Sequence, residues 1–186
     1  MTHLSGTERA LFVRRMFARI APSYDKLNRI MTFRQDLKWR KEAAQALALS
    51  PESTLLDLGS GTGGMLVEVL QNYPESTIVG VDFTPEMIRF GRSRKDLKGV
   101  LWVIADVHNL PFPPAVFHGT ISAFLMRNLP EVGATFQEQY RVLCNGGRLV
   151  CLETAPPPRN ALHVLTNLYL TRVIPLLGGL ISRDVE

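Results

Sequence analysis

The feature that most constrains this chain is a short apolar run that ends in an acid and opens into glycines. The run LLDL at 55–58 is followed by the turn GSGTGG at 59–64 and by apolar residues at helical spacing from Met65. A short apolar run between turn residues is typical of a strand buried on both faces. Glycines let the backbone turn tightly and come close to a ligand. The stretch therefore predicts a strand, a ligand-binding turn and a helix.

The charges around this turn bear on which ligand it takes. Gly59, Gly61 and Gly64 fit the dinucleotide fingerprint G-x-G-x-x-G, in which a helix N-terminus holds a diphosphate. Residues 42–88, however, contain seven acidic side chains and no lysine or arginine. Carboxylates repel a diphosphate and attract a ligand with an ammonium and a sulfonium group, such as S-adenosylmethionine. A nicotinamide oxidoreductase is the alternative interpretation, and Asp57 could also serve only to cap the turn.

Three predicted strands in succession end in an acid. The strands are residues 55–58, 76–82 and 100–105, and the acids are Asp57, Asp82 and Asp106. Because ligands of open α/β sheets bind at the carboxyl ends of the strands, we expect the three carboxylates to face one site. Asp82 lies 23 residues after Gly59, a separation at which an acid on the neighbouring strand accepts the hydroxyls of a ribose.

Strands and helices alternate along the rest of the chain. The patterns predict a helix over 84–93, a proline-rich loop over 106–113, a strand over 118–124, a helix over 130–143, a turn at 144–147 and a fifth strand over 148–153. This alternation predicts an α/β fold with a doubly wound, mostly parallel sheet. The 186 residues fit one domain, with an N-terminal helical lid (1–50), a cofactor-binding core (51–153) and an apolar helical segment (154–186).

The first fifty residues differ from the rest in charge. They hold ten basic and four acidic side chains, whereas residues 51–186 hold eleven and thirteen. Helical spacing predicts a helix over 7–20, and Pro22 interrupts the pattern after it. A second helix is predicted over 36–49. Because this prefix precedes the first core strand, we expect it to lie across the mouth of the site. We interpret its basic residues as a solvated helix face and expect no nucleic-acid partner, with an anionic membrane surface as the alternative.

The lengths of the apolar runs and the spacing of the cysteines indicate the cellular compartment. No apolar run reaches the ~20 residues that cross a bilayer. The two cysteines, Cys144 and Cys151, have neither metal-ligand spacing nor a disulfide framework around them. We therefore expect a cytoplasmic, reduced protein without a metal. A helix predicted over 160–174 would either pack beside the sheet or contact a membrane surface at the entrance of the site.

Several motifs carry a resemblance to class I S-adenosylmethionine-dependent methyltransferases. They are DLGSGTGG at 57–64, VDFTPEMI at 81–88, ADVHNLPFP at 105–113 and YRVLCNGGRL at 140–149. More specific are MFARIAPSYDKLN at 16–28, WR at 39–40 and FLMRN at 124–128. On these stretches the chain resembles the ubiquinone/menaquinone biosynthesis C-methyltransferase family over nearly its whole length.

The resemblance implies a cofactor site and an acceptor. S-adenosylmethionine would be held by Asp57, Gly59, Ser60, Gly61, Thr62, Asp82, Phe83, Asp106, Val107 and Ser122. The expected reaction is methylation of a ring carbon in a lipid-soluble reduced demethylquinone, which becomes nucleophilic when a hydroxyl loses its proton. Arg127 would stabilise the phenolate or orient a water, with Asn128 and Tyr24 as hydrogen-bond partners. His108 is an alternative base.

The sequence departs from the family pattern in three places. Leu125 stands where the family usually has glycine, which would reshape the acceptor pocket. Cys144 and Asn145 replace the usual Lys-Pro, a change from which we expect little effect. Class I enzymes also add two strands after the fifth, so we expect a truncated chain that lacks them, with an exposed strand edge that could form a homo-oligomer. A non-catalytic cofactor-binding protein is therefore a third hypothesis.

Overall fold

A computed structural model describes residues 6–154 of the chain. Its helices are α1 (Gly6–Ile20), α2 (Tyr24–Met31), α3 (Gln35–Ala46), α4 (Gly64–Asn72), α5 (Pro85–Ser93) and α6 (Val132–Val142). Its strands are β1 (Thr54–Leu58), β2 (Thr77–Asp82), β3 (Leu101–Ile104), β4 (Phe117–Ala123) and β5 (Leu143–Leu152). Short 3₁₀ helices lie at Ala21–Ser23, Lys95–Leu97 and Met126–Asn128. The predicted helix over 160–174 lies outside the described residues.

The five strands form one sheet in the order β3-β2-β1-β4-β5, and every pairing is parallel. The chain moves outward from β1 to β3 and then returns to place β4 on the other side of β1. Such a reversal leaves a crevice at the carboxyl ends of the central strands, where ligands bind in open α/β sheets. The predicted α/β fold with a doubly wound parallel sheet is confirmed. In the described part of the chain β5 is an edge strand, and association through it stays a prediction.

The central strands β1 and β2 are buried on both faces of the sheet, which fits their nearly continuous apolar sequences. One core cluster includes residues of the sheet, α3 and α4: Leu47, Leu55, Leu66, Ile78 and Ile121. The other cluster lies on the opposite face: Leu56, Leu58, Val81, Phe117 and Val142. Successive side chains of a strand point to opposite faces, so Asp57 shares the face of Leu55, under α3 and α4.

Two local features differ from the predictions. The residues after Pro22 form helix α2, which the sequence did not predict because a helix of eight residues depends on tertiary contacts rather than on its own propensity. The turn predicted at 144–147 lies inside the segment of β5, which already begins at Leu143, and these four residues form an irregularity without partners in β4. Gly146, with a φ of +79°, lets the strand bulge without leaving the sheet.

Candidate active site

A cavity of about 390 Å³ opens at the carboxyl ends of the strands. Its lining comes from the turns after β1, β2 and β4, from the loop after β3, and from α1 and α2. Eight of the predicted site residues line it: Tyr24, Gly59, Gly61, Asp82, Phe83, Asp106, Val107 and Asn128. Five do not: Asp57, Ser60, Thr62, Ser122 and Arg127. Side chains of α1 lie against the cavity, so the N-terminal segment is placed where a lid would be, and that role stays a prediction.

The turn after β1 is held in shape by backbone hydrogen bonds. The Ser60 N–H donates to the Val81 carbonyl at 2.9 Å, and the Gly63 N–H donates to the Ser60 carbonyl at 2.8 Å. Gly61 has a φ of +56°, and the nearest atom to a Cβ placed there would be Tyr24 Cε1 at 3.9 Å. The turn therefore offers bare backbone to the cavity, as a ligand that lies along it requires.

Asp82 ties the end of β2 to this turn. Its Oδ2 accepts the N–H of Gly61 at 2.8 Å, and its Oδ1 accepts the N–H of Thr84 at 2.7 Å. Burial raises the pKa of Asp82, and the backbone donors oppose that shift. The carboxylate is thus fixed at the cavity wall, and its remaining lone pairs can accept hydrogen bonds from ligand hydroxyls.

Asp57 is a buried carboxyl to which no described residue donates a hydrogen bond. It is 1% exposed, and neither of its carboxyl oxygens accepts a hydrogen bond within the described residues. Burial raises its pKa to about 8, although the nearby Arg40 guanidinium opposes the shift. An unsatisfied buried polar group lowers stability, so its presence in this place points to a ligand that satisfies it. An ammonium group, reached directly or through water, would stabilise the ionised form of this carboxyl and so lower its pKa on binding.

Ser60, Thr62 and Ser122 do not line the cavity. Ser122 is paired with Leu58 across the sheet, is fully buried, and its Oγ has no partner within the described residues. It faces the side of the sheet opposite to Asp57. The Ser60 hydroxyl donates to the Asp57 backbone carbonyl at 2.9 Å, and the Thr62 hydroxyl donates to Asp25 Oδ1 at 2.9 Å. Their roles as cofactor contacts stay predictions.

The loop after β3 places an acid and a histidine together in the cavity wall. Asp106 Oδ1 accepts the backbone N–H of His108 at 2.9 Å and also lies 2.8 Å from the ring nitrogen Nδ1 of the same residue. His108 Nε2 is buried without a partner in the described part of the chain. Nearby, the Arg14 guanidinium carbon of α1 lies 5.5 Å from the centre of the Phe83 ring. This end of the cavity therefore combines an aromatic face with polar groups, as a purine requires.

The wall after β4 is built around Phe124. This residue is buried and has a φ of +58°, a conformation that a bulky side chain adopts only when its surroundings hold it there. The guanidinium carbons of Arg40 and Arg127 lie 5.0 and 5.3 Å from its ring centre. Its carbonyl accepts Asn128 Nδ2 at 3.2 Å. The two arginines and this hydrogen bond therefore hold the segment that carries Asn128.

Leu125 covers the glycine turn from the acceptor side. A Cβ on Gly59 would come within 2.7 Å of Leu125 Cδ1, so the leucine side chain fills the space directly beside Gly59. Leu125 also lines the cavity. A glycine at position 125 would leave this space empty. The contact between Leu125 and Gly59 therefore supports the expectation that Leu125 reshapes the pocket.

Arg127 is near the cavity without lining it. Its Nη1 donates to Glu153 Oε1 at 3.1 Å and to Thr154 Oγ1 at 2.7 Å, and its backbone N–H donates to Glu153 Oε2 at 3.3 Å. The side chain is 46% exposed. Its contact with the cavity wall is the Phe124 ring, so any effect on a bound acceptor would act across that ring.

Sequence reasoning missed three charged residues that hold the site together: Asp25, Arg40 and Arg94. Arg40 is buried, lies 3.8 Å from the carboxylate of Asp36, and approaches the start of α4. Asp25 and Arg94 form an ion pair at 3.1 Å. Asp25 and Arg40 stood inside the motifs at 16–28 and 39–40, whereas nothing in the sequence pointed to Arg94. The acid-rich segment 42–88 is thus partly balanced by arginines from outside it.

Comparisons with known proteins identify the family to which this chain is similar. The model of the ubiE/COQ5 methyltransferase family matches residues 2–186. A demethylmenaquinone methyltransferase of Thermus thermophilus is 41% identical over 169 residues, which cover 90% of this chain and 77% of that protein. A ubiquinone/menaquinone biosynthesis C-methyltransferase of Desulfotalea psychrophila is 35% identical over 92% of this chain and 70% of that protein.

A solved structure with the same fold is an S-adenosylmethionine-dependent methyltransferase of Thermotoga maritima. It superposes with a TM-score of 0.63 at 21% identity, over 86% of this chain and 70% of that chain, a likeness that concerns the fold alone. The bare glycine turn, the fixed Asp82 and the unpartnered Asp57 suit S-adenosylmethionine, and the family match sets the nicotinamide and non-catalytic alternatives aside. The chain belongs to the ubiE/COQ5 methyltransferase family and is a methyltransferase that uses S-adenosylmethionine as its methyl donor.

Proposed function

We propose that this enzyme methylates a ring carbon of a lipid-soluble reduced demethylquinone, the kind of substrate that the names of its relatives give for those proteins. The observation that carries the proposal is that one cavity holds two sets of residues. The glycine turn and Asp82 form one wall, and Asn128 and Tyr24 belong to another. Apolar side chains such as Leu125 and Leu129 complete the lining. A largely apolar space with a few polar groups suits a flat aromatic ring with two hydroxyls.

On the cofactor side, we propose a division of labour among the acids. Asp57 would take the ammonium, Asp82 the ribose hydroxyls, and Asp106 with Val107 the adenine. The bare backbone of the glycine turn supports this assignment, as does the unpartnered state of the Asp57 carboxyl. When bound, S-adenosylmethionine supplies a methyl group activated by its positively charged sulfur.

On the acceptor side, the protein must favour the ionised hydroxyl. A free phenol has a pKa near 10, so ionisation near neutral pH needs stabilisation of the phenolate. We propose that Asn128 and Tyr24 hydrogen-bond the hydroxyls and that the positive charge of Arg127 stabilises the phenolate from behind the Phe124 ring. Arginine keeps its proton, so the hydroxyl proton passes to a water or to another base. The ring carbon that gains the methyl group then loses its own proton, which restores the aromatic ring and the hydroxyl. His108, whose Nε2 has no partner in the described residues, is the second candidate for that base.

Comparison of two redox forms of one acceptor tests the proposal. Only the reduced demethylquinone carries hydroxyls that can ionise, while the oxidised form has nearly the same shape and the same tail. We expect release of S-adenosylhomocysteine with the reduced form and none with the oxidised form. Equal release with both forms, or none with any reduced demethylquinone, would contradict the proposal.

We also propose that α1 contacts an anionic membrane surface from which the acceptor enters. Leu11, Phe12 and Met16 of α1 are 38–46% exposed, and Arg15 lies exposed on the same helix. Leu11 also lines the cavity, so the exposed apolar side chains continue into its wall. A helix of this kind lies in the plane of a bilayer surface. Among the described residues no helix combines the length and the hydropathy that crossing a membrane demands.

Co-sedimentation with anionic liposomes tests this contact. We expect the wild-type chain to sediment and the Phe12→Ser variant to sediment less, because the variant removes an exposed aromatic group from α1. Tyr140→Ser is the matched control, since Tyr140 is 81% exposed on α6. A wild-type chain that stays in the supernatant would contradict the membrane contact.

A further inference from the structure

Asp25 of α2 joins three separate parts of the chain beside the cavity. Its Oδ1 accepts the Thr62 hydroxyl at 2.9 Å, and its Oδ2 accepts Arg94 Nη1 at 3.1 Å. The same Nη1 donates to the Thr62 carbonyl at 3.3 Å, which closes a ring of three hydrogen bonds. Thr62 belongs to the cofactor turn and Arg94 to the segment after α5. The ring therefore links the N-terminal helices to the cofactor site.

Arg94 is held in place for this contact by a second acid. Its Nε donates to Asp96 Oδ1 at 3.0 Å, and its Nη2 donates to Asp96 Oδ2 at 2.8 Å. The bidentate pair lowers the pKa of Asp96 and raises that of Arg94, chiefly through the hydrogen bonds between them. Nη1 is left to face Asp25 and Thr62. The orientation of the Arg94 guanidinium is thus set by Asp96 as well as by Asp25.

The contacts of Asp25 affect the cavity through the preceding residue, Tyr24. Tyr24 lines the cavity directly before Asp25, and its Cε1 lies 3.9 Å from the Cβ position of Gly61. Its ring also meets Phe17 of α1 edge to face, with ring centres 5.8 Å apart. Because Asp25 fixes the start of α2 against Thr62, it also fixes where Tyr24 and Phe17 stand.

We infer that Asp25, Thr62 and Arg94 form a clamp that sets the spacing between the cofactor turn and the acceptor wall, with Asp25 as its positioning residue. The identity of the acceptor in this inference rests on the proposed function. The clamp itself rests on the hydrogen bonds among Asp25, Thr62 and Arg94. The cofactor turn has other ties, from Gly61 to Asp82 and within its own backbone. Opening the clamp therefore frees the start of α2, where Tyr24 lies, and leaves the turn in place, so the loss falls on acceptor binding.

A charge-matched pair of variants tests the clamp. Arg94→Met removes the bonds to both Asp25 and Thr62, while Arg92→Met removes the same charge from an exposed position on α5. For Arg94→Met we expect KM for the reduced demethylquinone to rise roughly tenfold, with the Kd for S-adenosylmethionine changed by less than about threefold. Arg92→Met should change neither. Asp25→Asn, which keeps an acceptor for Thr62 but not the charge, should give a smaller rise in KM.

Hydrogen exchange supplies a readout that is independent of activity. In Arg94→Met we expect faster amide exchange in peptides from α2 and unchanged exchange in the turn at 59–64. High salt should act in the same direction on the wild-type chain, because the ion pair is partly exposed. Unchanged exchange in α2, or a cofactor Kd that rises while KM stays constant, would overturn the clamp. If the wild-type chain methylates no quinol, the proposed function fails, but the exchange and cofactor-binding results still decide the clamp.

Discussion

Gly61 donates its amide proton to the carboxylate of Asp82, with its nitrogen 2.8 Å from Oδ2. The two residues are 21 positions apart and follow or end different strands, so this bond joins the glycine turn to the acid of β2. In the cavity wall, Gly61 presents bare backbone and Asp82 presents a carboxylate held in a fixed position. We therefore expect cofactor binding to depend on Asp82 both as a hydrogen-bond acceptor and as a support for the turn.

Replacement of Asp82 should remove cofactor binding. For Asp82→Ala we expect the Kd for S-adenosylmethionine to rise by at least about 30-fold, since a charge-assisted hydrogen bond contributes about 1.5–3 kcal/mol and the turn also loses its support. The increase in melting temperature that the cofactor produces should then disappear. Glu75→Gln, an exposed acid just before β2, is the control and should keep the full increase. A wild-type increase in the Asp82 variant would contradict the assignment.

Asp57 should make the cofactor-free enzyme less stable as pH rises. Its pKa is raised by burial from 3.8 to about 8, so between these values the folded chain holds a proton that the unfolded chain releases. Below pH 4 both states are protonated. As pH rises towards 8, the free energy of unfolding falls by at most about 1.4 kcal/mol per pH unit from this group.

The Asp57→Asn variant separates this stability effect from binding. We expect the variant to lack this fall and so to become more stable, relative to the wild type, from pH 5 to pH 8, while losing affinity for S-adenosylmethionine. Urea unfolding of the cofactor-free chains at pH 5, 6, 7 and 8 measures the difference. Parallel pH dependences of the two chains would contradict an unpaired, buried carboxyl at this position.

Leu125 should determine which ring system the cavity accepts. Its side chain fills the space beside Gly59, so Leu125→Ala should enlarge the acceptor side of the cavity. We expect kcat/KM for a naphthalene quinol, relative to that for a benzene quinol with the same tail, to rise by roughly 3- to 30-fold. Leu70→Ala, a similar truncation at a partly buried site on α4, is the control. An unchanged ratio in the Leu125 variant would remove Leu125 as a determinant of specificity.

Arg127 should affect turnover more than binding. Arg127→Met should lower kcat roughly 10- to 100-fold and leave the Kd for S-adenosylmethionine unchanged, because the positive charge matters when the phenolate forms. Arg127→Lys should recover part of the loss. Glu153→Gln removes the acid that competes for the guanidinium and should not lower kcat. A normal kcat in Arg127→Met, with only a small change in stability, would show that the Arg127–Glu153 pair is structural.

The sheet could be predicted from the sequence because its strands are short apolar runs bounded by turn residues, as at Leu55 to Leu58. Helix α2 and the irregular start of β5 could not, because each depends on what it packs against or pairs with. Their stability comes from tertiary contacts, which a local pattern does not contain.

The same division holds within the site. Asp82, Gly61 and Asp106 could be predicted, since they follow or end strands whose carboxyl ends must share one edge of the sheet. The clamp could not, because Asp25 lies 37 residues from Thr62 and 69 from Arg94, and only the docking of the N-terminal helices brings them together.

The position of a transferred methyl group tests the central claim most directly. The chain is incubated with S-adenosylmethionine labelled in its methyl group and with a panel of reduced demethylquinones, and the product is analysed by NMR. We predict that the label appears on a ring carbon of the quinol and that Asp82→Ala abolishes it. Label on a hydroxyl oxygen, as a methyl ether, or no label on any member of the panel would contradict the account.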